Sequence, residues 1–181
     1  MNDPVAHWHT EHVYFGQLLK LLRKEVDVFH GGEEPNYELM LDIIAYLRDY
    51  SDSVHHPRED IAFERLARHC PDLRIVLSRL QQEHRVIARA GENLHDRLEA
   101  ILAGEVIARE DVEADAATFL VYYETHIAKE ESDVLARAAK HLTGDDWEAV
   151  RAFGKGRSDP LFGKEAHERF KELRRQIARE A

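Results

Sequence analysis

Two short stretches of the chain carry residue types suited to holding a metal ion. In VHHPREDIAF, His55 is followed four residues later by Glu59, and in ETHIAKEE, His126 is followed four residues later by Glu130. On a helix, positions i and i+4 share a face, so each pair presents an imidazole beside a carboxylate. His12 and His84 complete the candidate set. Imidazole with carboxylate suits iron or manganese, and zinc is compatible; no thiolate is present to favour an iron–sulfur site. If both glutamates bridge and two histidines fall to each cation, each cation has about four protein donors. A bridging oxo or hydroxo group would make five, leaving six-coordinate iron about one position for a small molecule.

Such a site needs helices that bring distant residues to one level. Asp3-Pro4 reads as the cap and first turn of a helix ending at His30-Gly31-Gly32, with Trp8, Phe15, Leu19, Leu22, Val26 and Phe29 as its apolar stripe. A second helix runs from Tyr37 to about Arg68, with Met40, Ile43, Ile44, Leu47, Tyr50 and Val54 inward; Pro57 must kink it or force a bulge. A third covers about Leu73 to Leu102, stopped by Gly104, and a fourth about Glu110 to His141. Thr143 caps a short helix containing Trp147, and a last helix runs from about Lys164 to Glu180 with Phe170, Leu173 and Ile177 inward. Short connections make neighbouring helices antiparallel. The expectation is all-α: an up-down-up-down four-helix bundle over residues 1–142, with a helical extension, 143–181, packed on it.

Two tests bring the candidates together. At about 100° per residue, His12 and His84 fall on the apolar stripes, His126 and Glu130 flank the direction of Phe119, and His55 faces the core edge. His56 lies about 100° further round, towards solvent. Counted along the helices at about 1.5 Å per residue, His12, His55, His84 and His126 all sit within roughly one turn of a common level. Alternatives stay open: His56 with Asp60 is the fallback pair, because Pro57 disturbs the phase, and Glu131 competes with Glu130. Tyr123, one turn before His126, packs or hydrogen-bonds nearby, and His95 is a core-edge residue. His7, His9, His30, His69, His141 and His167 read as solvent-facing or capping, and Cys70 as an ordinary small residue.

Bulk properties narrow the function classes. The chain has 181 residues, 44% hydrophobic and 33% charged, which is the balance of a globular protein. A formal net charge of −10 argues against a nucleic-acid surface, which needs clustered Lys and Arg. No apolar run approaches the roughly 20 residues of a membrane span. One cysteine and no signal-like start point to the cytoplasm. Twelve histidines are many for this length, and six residues of the candidate set already use four of them.

The ordered set His12, His55-x-x-x-Glu59, His84, His126-x-x-x-Glu130, within TEHVYF, HHPREDIAF, QQEHRVI and HIAKEE, resembles the hemerythrin-like, or HHE cation-binding, family over about residues 5–142. The tail LTGDDWEAV followed by DPLFG is similar to the extension of many bacterial members. The resemblance implies a non-haem di-iron centre in a four-helix bundle, with those six residues as ligands. It departs from the oxygen-carrying members, which place a fifth histidine one turn from that on the third helix; here the flanking positions are Leu80 and Ala88. The four-histidine pattern looks more like members tied to nitric-oxide stress and repair of iron centres. The function it implies is binding of O2, NO or peroxide at an open iron position, for redox or nitrosative stress handling or sensing, in a monomer or homodimer. A ferritin-like di-iron oxidase, or a module whose contacts follow its metal state, are the alternatives. No residue outside the set reads as a dedicated acid, base or nucleophile, so turnover does not follow.

Overall fold

A computed structural model describes residues 4–155, 157–163 and 167–180, and among them every regular element is helical. Helix α1 spans Pro4–His30. Its end is set by Gly32, at φ 87°: Gly32 N–H donates to Phe29 O and Glu33 N–H to Val28 O, a pairing that needs the left-handed conformation glycine adopts without strain. The second rod is α2 (Tyr37–Tyr46), a π-helical stretch (Leu47–His55) and α3 (His56–His69). The Asn36 side chain caps it by accepting from Leu39 N–H. Helix α4 spans Arg74–Leu102 and closes on Gly104, at φ 86°, as α1 closes on Gly32. The fourth rod is α5 (Arg109–Lys129), a π-helical turn (Glu130–Val134) and α6 (Leu135–His141). Helices α7 (Gly144–Phe153) and α8 (Lys171–Glu180) follow. The expected Asp3 cap and the Lys164 start of the last helix lie outside the described residues; the described part of that helix begins with a 3₁₀ turn at Glu168–Phe170.

The expected bulge at Pro57 takes a definite form. Proline has no N–H for the carbonyl four residues back, and its ring crowds that carbonyl. Upstream the chain widens, and His56 N–H donates to Ser51 O, five residues back.

Apolar side chains pack in two clusters. The larger includes Phe15, Leu22, Ile43, Ile44, Leu94, Leu98, Phe119 and Tyr123; the smaller includes Trp8, Phe63, Leu66, Leu77, Leu80, Val134 and Trp147. Helices α4 and α5 approach closely at Gly91, where an added Cβ would meet Phe119 Cε2 at 2.9 Å. On each rod the candidate ligands fall between the clusters: His12 between Trp8 and Phe15, Glu59 between Val54 and Ala62, His84 between Leu80 and Ile87, Glu130 between Tyr123 and Val134. A polar layer therefore separates two greasy ones.

Helix α7 is fixed by Thr143, whose side chain accepts from Asp146 N–H while the Asp146 carboxylate accepts back from Thr143. Trp147 meets Trp8 edge-on at 5.3 Å, which seats α7 against the bundle. Phe170 and Leu173 are buried in the larger cluster and Ile177 packs against it. Among the described residues no helix is long and apolar enough to cross a membrane.

Candidate metal centre

The four rods bring His12, His55, Glu59, His84, His126 and Glu130 into one buried cluster, each at most 5% exposed. The imidazoles pair. His12 Nε2 lies 3.2 Å from His55 Nε2, and His84 Nε2 lies 3.0 Å from His126 Nε2. The carboxylates span the two pairs. Glu59 Oε1 lies 3.3 Å from His12 Nε2 and 3.0 Å from His55 Nε2, whereas Oε2 lies 3.5 Å from His84 Nε2. Glu130 Oε2 lies 3.4 Å from His12 Nε2, and Oε1 lies 3.1 Å from His126 Nε2.

Each ring is held from behind. Nδ1 of His12 donates to Glu131 at 2.7 Å, that of His55 to Glu11 at 2.9 Å, that of His84 to Asp60 at 2.8 Å and that of His126 to Glu83 at 3.3 Å. A carboxylate only accepts, so each Nδ1 carries a proton and Nε2 is the nitrogen left facing inward. Glu11 is itself buried, and also accepts from Tyr50 Oη and Arg58. Burial pushes its carboxyl up, but His55 and Arg58 outweigh that and hold it down at about 2.

Electrostatics inside the cluster follow from the same contacts. Burial pulls the His12 imidazole down, but Glu131 and Glu59 outweigh it and raise it to about 10. His84 is raised to about 11 against burial, by Asp60, Glu130 and Glu59. Glu59 is held well below the carboxylate range despite burial, by His55 and His12. The cluster is thus built around positive charge at its centre.

The residues fit metal cations by a further observation. Glu59 Oε2 and both Glu130 oxygens are buried and have no hydrogen-bond partner, although imidazole nitrogens lie near them. Orphaned buried carboxylate oxygens are costly unless a cation takes the lone pairs. Without a cation a proton must lie between the paired Nε2 atoms, as the raised His12 and His84 imidazoles require. Two nitrogens about 2.1 Å from one cation and at right angles would stand about 3.0 Å apart, which is the spacing seen. His12, His55 and Glu59 form one group whose donor atoms lie within 4.8 Å of one another.

Sequence reasoning set His56 towards solvent, and this is corrected: it is 3% exposed and stacks on His84 at a centroid separation of 4.2 Å. The π-helical stretch supplies the reason, because it turns the helix face before Pro57 and lets consecutive residues, His55 and His56, both face inward. The fallback pair separates, since Asp60 lies outside the inner cluster and holds His84 from behind. Glu131 likewise stands behind His12, with Glu130 inside. Glu11 and Glu83 were missed. Their signal was an acidic residue immediately before His12 and before His84, visible only once the spatial partners are known. Tyr123 packs against Phe119 and hydrogen-bonds Ser51. His9 and His69 are exposed as expected, and each pairs with a carboxylate, Glu131 and Asp146.

Fold and cluster together define a class: all-helical proteins in which buried histidines and carboxylates can hold metal cations. Within that class, the chain belongs to the hemerythrin HHE cation-binding domain family, whose model matches residues 3–138. Comparison with curated proteins gave no match, and comparison with solved structures gave none either.

Proposed function

We propose that the protein is a di-iron protein that binds O2, NO or peroxide at an open iron position. His12 and His55 hold one iron, His84 and His126 the other, and Glu59 and Glu130 bridge them. The observation that carries this reading is the set of orphaned oxygens on Glu59 and Glu130, buried between two inward-facing imidazole pairs. Bound iron supplies a ferrous–ferric couple and an exchangeable coordination position. The chain's own part is to orient and to exclude water. Glu131, Glu11, Asp60 and Glu83 fix the rings and keep their inner nitrogens basic. Phe15, edge-on to His55 at 4.9 Å, and Phe63, stacked on His84 at 5.9 Å, wall the site with hydrocarbon. The four rods run up-down-up-down in this reading, because that order puts the four histidines at one level. The single cysteine, Cys70, is buried and free, in keeping with a cytoplasmic setting.

Iron analysis of protein from iron-supplied cells tests the proposal. Two irons per chain, near-ultraviolet oxo–iron absorption and a spectral change when NO or O2 meets the reduced protein are expected. Less than one iron per chain, unchanged in His84→Ala, overturns it.

A metal-state sensor is the second reading, and one chain of contacts favours it. Glu11 holds His55 and accepts from Tyr50; Tyr50 stacks on Tyr46; Tyr46 bonds Asp159 and meets Phe170 edge-on. A cation ligand is thereby linked to the segment that seats α8. A difference in α8 proteolysis between reduced and oxidised protein would select it. With four histidines to two glutamates, the cluster is poorer in carboxylates than a ferritin-like oxidase.

A further inference from the structure

We propose that His56 supplies a fifth imidazole, to the cation held by His84 and His126. This rests on the reading of the cluster as a two-cation site and goes beyond it by making the two positions unequal. One donor atom each from His56, Glu59, His84 and His126 lies within 4.8 Å of the others, and all four residues are buried. The His56 ring stacks on His84 at 4.2 Å and meets His126 edge-on at 5.6 Å. Unlike the other four, its Nδ1 makes no hydrogen bond, although the Asp52 carboxylate lies 3.1 Å away. That approach is not aligned as a hydrogen bond, so His56 Nδ1 and Asp52 Oδ1 are both buried without one. Nε2 has only a 3.3 Å contact to Ser51 Oγ, whose other partner is Tyr123 Oη.

A histidine that merely filled the core would be an expensive choice. Burying an imidazole with one ring nitrogen unsatisfied costs free energy that a leucine would not. The local backbone also departs from α geometry over Leu47–His55, and that departure ends where His56 turns inward. The unsatisfied ring nitrogen is accounted for if a cation takes its lone pair, and the widened backbone before Pro57 is what turns the ring inward. The consequence is asymmetry: three imidazoles and two carboxylate oxygens on the His84 side, two and two on the His12 side. An added small ligand then enters on the His12–His55 side.

The experiment loads full-length wild type, His56→Leu and His56→Gly with iron, counts the metal, and follows its release to an excess of chelator. Azide is then titrated into each loaded protein by absorption. Circular dichroism and melting of the iron-free proteins check folding, and leucine keeps the site filled. Expected results are two irons per wild-type chain and release of one iron on the order of tenfold faster in both variants. A second azide-binding step should appear in His56→Leu, and added imidazole should restore slow release in His56→Gly. Wild-type release and azide stoichiometry in both folded variants would overturn the inference while leaving the two-iron reading intact. A wild type that holds no iron pair would overturn both, and the metal count alone separates the two failures.

Discussion

At the scale of single residues, the arrangement turns on the carboxylates that stand behind the imidazoles. Glu131 and Glu11 do the same job for His12 and His55 but in different surroundings. Glu131 is about one-third exposed, and losing it leaves water to replace it. Glu11 is 2% exposed and also neutralises Arg58, whose guanidinium is mostly buried. Glu131→Ala should therefore weaken iron retention by about 10-fold or more and leave the melting of the iron-free protein unchanged. Glu11→Gln should weaken retention by about 10–100-fold. It should also destabilise the iron-free protein by up to about 3 kcal/mol, because Arg58 is left as a buried charge without a counter-ion. Chelator competition and thermal melting read the two effects separately. Equal melting of both variants would remove the distinction drawn between them.

At the scale of elements, α7 is held by one carboxylate with several donors. Asp146 accepts from Thr143 N–H and Oγ1, from Arg65 at 3.0 Å and from His69 at 2.9 Å. Burial raises its carboxyl, but the Thr143 and Arg65 bonds outweigh that and place it below the ordinary carboxylate range. A depressed folded-state value means stability that is present above the unfolded-state value, near 4, and lost as pH falls towards the folded one. Asp146→Asn should thus melt below wild type at pH 7, and the two curves should converge below about pH 4. A gap that persists unchanged in acid would show that packing, not the charge on Asp146, secures α7. The π-helical stretch before Pro57 acts at the same scale. It lets His55 and His56 both lie inside, where unbroken α geometry would rotate one of them away, whereas Glu130 reaches the cluster by the ordinary α spacing from His126.

Across the whole molecule, the cluster is a charged layer between two apolar ones, and the iron-free fold carries its desolvation cost. Cation binding to the folded chain alone stabilises by mass action, by about 2.7 kcal/mol when free metal is a hundred times its dissociation constant. At roughly 2–4 °C per kcal/mol for a chain this size, anaerobic ferrous iron should raise the melting temperature by about 5–11 °C, and a chelator should reverse the rise. No shift at saturating iron would mean that the buried carboxylates are satisfied without a cation.

Much of this was legible from residue order alone. Helix count and apolar stripes follow from a 3.6-residue period, the ends from Gly32, Asn36, Gly104 and Thr143, and the meeting of His12, His55, Glu59, His84, His126 and Glu130 from their matching distances to helix ends. Those are local properties, or sums of local rises. The side on which His56 falls was not legible, because it depends on whether Pro57 kinks the helix or widens it, and that is decided by what packs against the widened face. Nor were the partners Glu11 and Glu83, since a carboxylate one residue before a histidine gains its role from a ring on another rod. The sequence determined which residues share a level and a face; the tertiary structure decided which atom of each looks inward and what holds it there, because both are set by contacts between chain segments far apart in the sequence.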